Sequence, residues 1–170
     1  MRVQKEAAGS FRLTLNLFEG RLLRQCLASI GKNYLIPPDQ ADPQLLASWY
    51  SAHGCEAAGR DAAEIAEWQQ SLHELRTENL QRVERWQLQL RRAAHGRYQL
   101  TLSADETPAF LSVINDHRLL IAAQQTIGEV EMSFQSLRRI SQLSAERQAA
   151  LYEIHLLAYL MEELLALLME

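Results

Sequence analysis

Cysteine is scarce in this chain: Cys26 and Cys55 are the only two, too few for a disulfide framework. A reduced, cytoplasmic setting is the expectation. Long uncharged apolar runs are missing as well. Leu156–Met161 is interrupted at Glu162 and Glu163, well short of the about 20 residues that a membrane span needs. Met1–Ser10 carries no apolar stretch, so no signal peptide is expected. There is no glycine-rich phosphate loop, no Cys-x-x-Cys pair and no nucleophile elbow, which removes the commonest signatures of nucleotide, redox and hydrolase chemistry. Positive charge is not in surplus either. The formal charge of -4 argues against general affinity for phosphate backbones.

What is present suits a globular chain. Apolar residues make up 48% and charged residues 22%, so wholesale disorder is excluded, and 170 residues fit one domain. One pattern occurs twice. Phe11-Arg12-Leu13-Thr14-Leu15 and Tyr98-Gln99-Leu100-Thr101-Leu102 both alternate apolar and polar residues as a half-buried strand does. Each is followed by a helix-start signal, Asn16 with Glu19 and Ser103 with Glu106, the spacing of a capping box. Two short strands are marginal alone, so they are expected to pair with each other against helices.

The rest reads as helix. Leu22, Leu23, Cys26, Leu27 and Ile30 give the first helix an apolar face ending near Gly31–Asn33. Pro37, Pro38 and Pro43 make Tyr34–Pro43 a connector, and a short helix follows with Leu45, Leu46, Trp49 and Tyr50. Asp61–Ala94 contains neither Gly nor Pro, and Ile65, Trp68, Leu72, Leu75, Asn79, Val83, Trp86 and Leu90 recur at helical spacing. Unbroken, that helix would be about 50 Å long, against roughly 40 Å across a compact domain of this size. A gentle curve around the core, weakest at Asn79, is preferred over a projecting arm, and Trp68 and Trp86, on the apolar stripe, are expected to pack in the core rather than to stack on bases. Pro108 suits a first helical turn, and Phe110, Val113, Ile114, His117, Leu120 and Ile121 follow. A helix over Ser133–Leu143 and a last one capped by Ser144 complete the chain. In that last helix His155, Glu162, Glu163 and Glu170 cluster on one side and nearly everything else is apolar. Such a helix is either central or packed on a second subunit.

Candidate chemistry is thin. The residues three before each histidine are Tyr50, Gln70, Arg92, Ile114 and Tyr152, none acidic, so the Glu-x-x-His pattern of bundle metal sites is absent. His73-Glu74 has Thr77 where a zinc protease needs its second histidine. No metal and no cofactor is expected; only a ligand set assembled from distant residues would escape this reading. The densest polar cluster is Asn115-Asp116-His117-Arg118. It could place Asp116 as base and His117 as acid, but a structural role for Asn115, Asp116 and Arg118 is preferred. Arg82, Arg85, Arg91, Arg92 and Arg97, with Glu84 as the one acid among them, form the main basic concentration.

Ile114-Asn115-Asp116-His117-Arg118-Leu119 resembles a family of uncharacterised bacterial proteins common in actinobacteria. The layout is similar too: a strand with a Glu-started helix, a second strand leading to a Leu-Asn-Asp-Leu-Arg-Leu-like helix, and a closing leucine-rich helix, here Leu151-Tyr152 and Leu156–Leu164. His117 stands where that family usually has leucine, Ala123-Gln124-Gln125 replaces a segment that usually holds an arginine, and Tyr159 stands near an expected tryptophan. The resemblance implies genes that often neighbour the ClpS protease adaptor and, for some members, a transcription-regulator label. It assigns no residue a role.

The expectation is therefore a mainly α single domain over residues 1–170, a helical bundle with a small two-stranded β element, built as two strand-then-helix halves (11–95 and 98–170). No catalytic residue is expected. The favoured function is a non-enzymatic regulatory or scaffold protein acting through protein contacts, as a homodimer or with another protein. Its expected surface is Leu157, Leu160, Leu164 and Leu168, and replacing Leu160 and Leu164 by Glu should then give folded monomers. The alternative is a DNA-binding regulator using the Arg82–Arg97 helix face.

Overall fold

The computed structural model describes residues 1–6, 9–132 and 137–169. Strands β1 (Arg2–Lys5) and β2 (Phe11–Leu15) precede helix α1 (Leu17–Asn33). Short helices α2 (Pro43–Trp49) and α3 (His53–Ala57) lead into α4 (Ala62–Gln89). Strands β3 (Arg91–Arg92) and β4 (Tyr98–Leu102) come next, then α5 (Thr107–Gln124), α6 (Glu129–Met132), α7 (Leu137–Ile140) and α8 (Ala145–Met169). The helix expected over Ser133–Leu143 lies partly outside the described residues, and so does Glu170.

The repeated strands pair, antiparallel, with Phe11 opposite Leu102, Leu13 opposite Leu100 and Leu15 opposite Tyr98. Alternation sends these six side chains to one face, where all are buried. The expected two-stranded element is in fact a four-stranded antiparallel sheet, ordered β1-β2-β4-β3. The two outer strands extend the ladder past the central pair. Neither has a sequence signal: β1 has one buried apolar residue, Val3, and β3 is two arginines. The β3–β4 turn needs two consecutive left-handed residues, His95 (φ 58°) and Gly96 (φ 71°).

Helices cover one face of the sheet. Asn16 and Glu19 form the expected capping box, with Glu19 N–H to Asn16 Oδ1 at 2.9 Å and Asn16 N–H to Glu19 Oε2 at 2.8 Å. Ser103 and Glu106 bond reciprocally as well, on the turn just before α5 starts at Thr107. Helix α1 sits hard against β4: a Cβ on Gly20 would stand 2.3 Å from the Tyr98 ring. One core joins sheet, α1, α2, the end of α4, α5 and α8.

Two helices depart from expectation. Helix α4 is continuous through Asn79, yet no residue from 62 to 82 is buried. Only Val83 and Trp86 are fully buried, but Leu72 and Leu80 pack partly buried against the core and Arg76 pairs with Asp116 of α5, so α4 lies along the core with its outer side open to solvent. The same stretch leans on the end of α2 through Gln69 Nε2 donating to Tyr50 O (2.9 Å) and the Tyr50–His73 contact (3.1 Å). Trp68 is 46% exposed and Leu75 57%, so the expectation of core packing fails at Trp68 and holds at Trp86, and Trp49 is buried as well. Helix α8 is not central: it buries one stripe in the chain's own core and leaves Tyr152, Tyr159, Leu165, Leu168 and Met169 exposed. Leu157, Leu160 and Leu164 are buried in the chain's own core, packed with α5 and β1, and only Leu168 of the expected surface is exposed, at 39%. The proposed dimer face is therefore interior: its apolar stripe is consumed by the chain's own sheet and helices. No helix among the described residues is long and apolar enough to cross a membrane.

Candidate functional site: an open arginine-lined sheet face

Among the described residues no helix covers the second face of the sheet, where Arg12, Gln99 and Thr101 are exposed. The same alternation that buries Phe11 to Leu15 turns Arg12 and Thr14 outward, and Gln99 and Thr101 follow suit on β4. Register aligns them in rows: Arg2–Thr14–Gln99–Arg91 crosses all four strands, and Gln4–Arg12–Thr101 runs beside it. Arg97 and His95 rise at one end from the β3–β4 turn. Together Arg2, Arg12, Arg97, Thr14 and Gln99 line a depression of about 500 Å³. Arg12 is paired with Glu6 at 2.8 Å. Among the described residues the guanidinium groups of Arg2 and Arg97 have neither ion pair nor hydrogen bond. The face thus offers planar, charged donors beside neutral amide and hydroxyl groups, an arrangement suited to carboxylates or phosphates.

The five arginines expected on one helix face are dispersed. Arg82 donates to Asn79 (2.7 Å) and Arg85 faces Glu106 (3.5 Å) on α4, which ends before the other three. Arg91 joins the sheet face, where Gln99 is its register partner, and Arg97 lines it. Arg92 is register partner to Tyr98, whose side chain points inward. Arg2 and Arg12 were not singled out by the sequence; the outward half of the Phe11–Leu15 alternation was the available signal.

The Asn115–Arg118 cluster spreads over different neighbours. Asp116 accepts from Tyr34 Oη (2.9 Å) and faces Arg76 (Nε at 3.2 Å), while its backbone oxygen accepts from Trp49 Nε1 (2.7 Å). Arg76 in turn lies over the Trp49 and Tyr50 rings, both at 5.4 Å. Burial raises the Asp116 carboxyl above its ordinary range in spite of Arg76 and Tyr34, and it raises the Tyr34 phenol too. Arg118 reaches Asn115 Oδ1 (3.4 Å) and Met161 Sδ (3.3 Å), not a carboxylate or a helix-end carbonyl; burial lowers its pKa. His117 points to Glu153, Nε2 to Oε1 2.8 Å. Asp116 and His117 therefore serve separate partners and do not form an acid–base pair. The arrangement clamps the connector, α2 and α4 onto α5.

Among the described residues one set has metal-ligand chemistry, Cys26, His117 and Glu153, with ligand atoms within 4.8 Å of one another. No spacing motif announces it, because each residue comes from a different helix.

A domain of unknown function, DUF2017, matches residues 1–168. The chain belongs to this family. That membership spans both strand-then-helix halves and therefore includes the whole sheet. No curated protein and no solved structure matches the chain.

Proposed function

We propose that this DUF2017 protein is a non-enzymatic regulatory or scaffold protein that docks an acidic segment of a partner protein on the open face of its sheet. The observation that carries the reading is the pair of unpartnered arginines, Arg2 and Arg97, lining one depression. Charge distribution favours a compact acidic segment over an extended polyanion. Arg2, Arg12, Arg91 and Arg97 with Glu6 give the face +3, so with the whole chain at -4 the remainder carries -7. A phosphate backbone running beyond the face would meet that remainder. The aromatic residues of the two central strands, Phe11 and Tyr98, point inward, so the face lacks a stacking platform for bases. A partner other than a second copy is preferred, because Leu157, Leu160 and Leu164 are committed to the core.

The second reading is DNA binding, to which Arg91 and Arg97 would contribute from the sheet face. Titrations of labelled Asp/Glu-rich peptide and of labelled duplex separate the two. Peptide binding that weakens with salt, and at least tenfold on Arg2→Glu/Arg97→Glu (about 1.4 kcal/mol) but not on Arg82→Glu, supports docking. Absence of peptide binding, or binding indifferent to the double reversal, overturns it; duplex binding alone promotes the second reading.

A further inference from the structure

The core holds three donor groups of different chemistry that the docking reading does not use. Cys26 from α1, His117 from α5 and Glu153 from α8 meet where these helices converge, their ligand atoms all within 4.8 Å of one another. Cys26 is fully buried and His117 is 4% exposed. Glu153 is the outermost, with its side chain 17% exposed, and it offers a route from solvent. The Nε2–Oε1 contact of 2.8 Å accounts for one imidazole nitrogen and one carboxylate oxygen. It leaves His117 Nδ1 buried without a hydrogen-bond partner. The Cys26 thiol, among the described residues, makes no hydrogen bond.

We propose that Cys26, His117 and Glu153 form a three-ligand site for a divalent transition metal of the zinc class. A thiolate, an imidazole and a carboxylate are the donor types zinc takes, and a fourth position would be filled by water from the Glu153 side. Metal–ligand bonds of about 2.0–2.3 Å at tetrahedral angles put donors roughly 3.2–3.7 Å apart. Nε2 and Oε1, now 2.8 Å apart, have to open by about half an ångström, and a separation at the 4.8 Å limit of the set has to close by about 1 Å, both side-chain adjustments. The thiol sulfur supplies an electron pair and its proton leaves to solvent, the imidazole binds through Nε2 with its proton on Nδ1, and nothing is oxidised or reduced. Thiolate, carboxylate and dication sum to zero charge, so loading neutralises a carboxylate otherwise half-buried beside a neutral thiol. Held by three helices from both halves of the chain, the metal would stabilise the folded state by mass action.

Chelator-treated full-length protein, titrated with Co²⁺ and then Zn²⁺, tests this. The expected result is one equivalent bound per chain, a near-ultraviolet thiolate-to-cobalt charge-transfer band and a raised melting temperature. Cys26→Ser should abolish the band and weaken binding at least tenfold. The double variant His53→Gln/Cys55→Ser, which removes the exposed histidine and the other thiol, should leave both intact. If Cys26→Ser does not fold, Glu153→Gln at the more exposed ligand provides the same loss of affinity. Failure of folded wild-type protein to take up stoichiometric metal overturns the site. A band lost with Cys55→Ser but kept with Cys26→Ser does so too.

Discussion

At the scale of single residues the decisive quantity is how burial competes with pairing. Asp116 has Arg76 and the Tyr34 hydroxyl beside it, both of which favour its charged form, yet burial outweighs them and raises its pKa above the ordinary 3.8. The folded chain therefore holds this proton more tightly than the unfolded chain does. Its contribution to stability is fully present below about pH 3.8 and is lost as pH rises through the raised folded value. Asp116→Asn cannot titrate, so the margin of wild type over this variant should shrink between pH 4 and pH 7 in urea unfolding. A margin that grows with pH would reverse the sign and make Arg76 the dominant influence. Asp116→Ala is a different experiment, since it strands the Arg76 guanidinium and the Tyr34 hydroxyl. Both side chains of the Arg76–Asp116 pair are 14% exposed, so a cost of about 3 kcal/mol is expected at neutral pH.

At the scale of elements, periodicity and capping were legible and partners were not. Phe11–Leu15 and Tyr98–Leu102 declare themselves because one face of each is buried, and Asn16–Glu19 fixes the start of α1. Arg2–Lys5 and Arg91–Arg92 carry no such mark: their place in the sheet comes from backbone pairing to a neighbour that is already patterned. The sheet-face site inherits that opacity, because Arg2 and Arg91 become neighbours of Thr14 and Gln99 only through register. The Cys26–His117–Glu153 set is hidden for a related reason, as three helices must converge before it exists. Helix α4 shows the opposite error. Its apolar stripe is continuous, but spacing reports which side faces inward, not whether anything lies there. Trp86, edge-on to Phe110 at 5.1 Å, and Trp68, 46% exposed, occupy the same stripe in unlike surroundings. Trp86→Ala should cost about 4 kcal/mol in chemical denaturation, and Trp68→Ala less than about 1 kcal/mol. Equal costs would mean that Trp68 is packed as closely as Trp86.

At the scale of the whole molecule, the two halves of the sequence share one sheet and one core cluster. The central pairing of the sheet joins β2 from the first half to β4 from the second, and α8 closes over β1 at the far end of the chain. Leu157, Leu160 and Leu164 share one core cluster with Phe11, Leu13, Leu27 and Trp86. Removing either half exposes the buried sheet face of the other and leaves a strand without its neighbour. Leu160→Glu/Leu164→Glu should accordingly unfold the protein, since each carboxylate would be buried without a partner. The intact chain should unfold in one transition, with far-ultraviolet dichroism and tryptophan fluorescence coincident in urea. Fluorescence samples α2 and α4 through Trp49, Trp68 and Trp86, all in the first half, whereas dichroism also weighs α5 and α8. Two displaced transitions would show that the halves melt separately and that the shared core couples them only weakly. Coincidence would mean that the exposed face of the sheet belongs to a platform that opens only when the whole domain does.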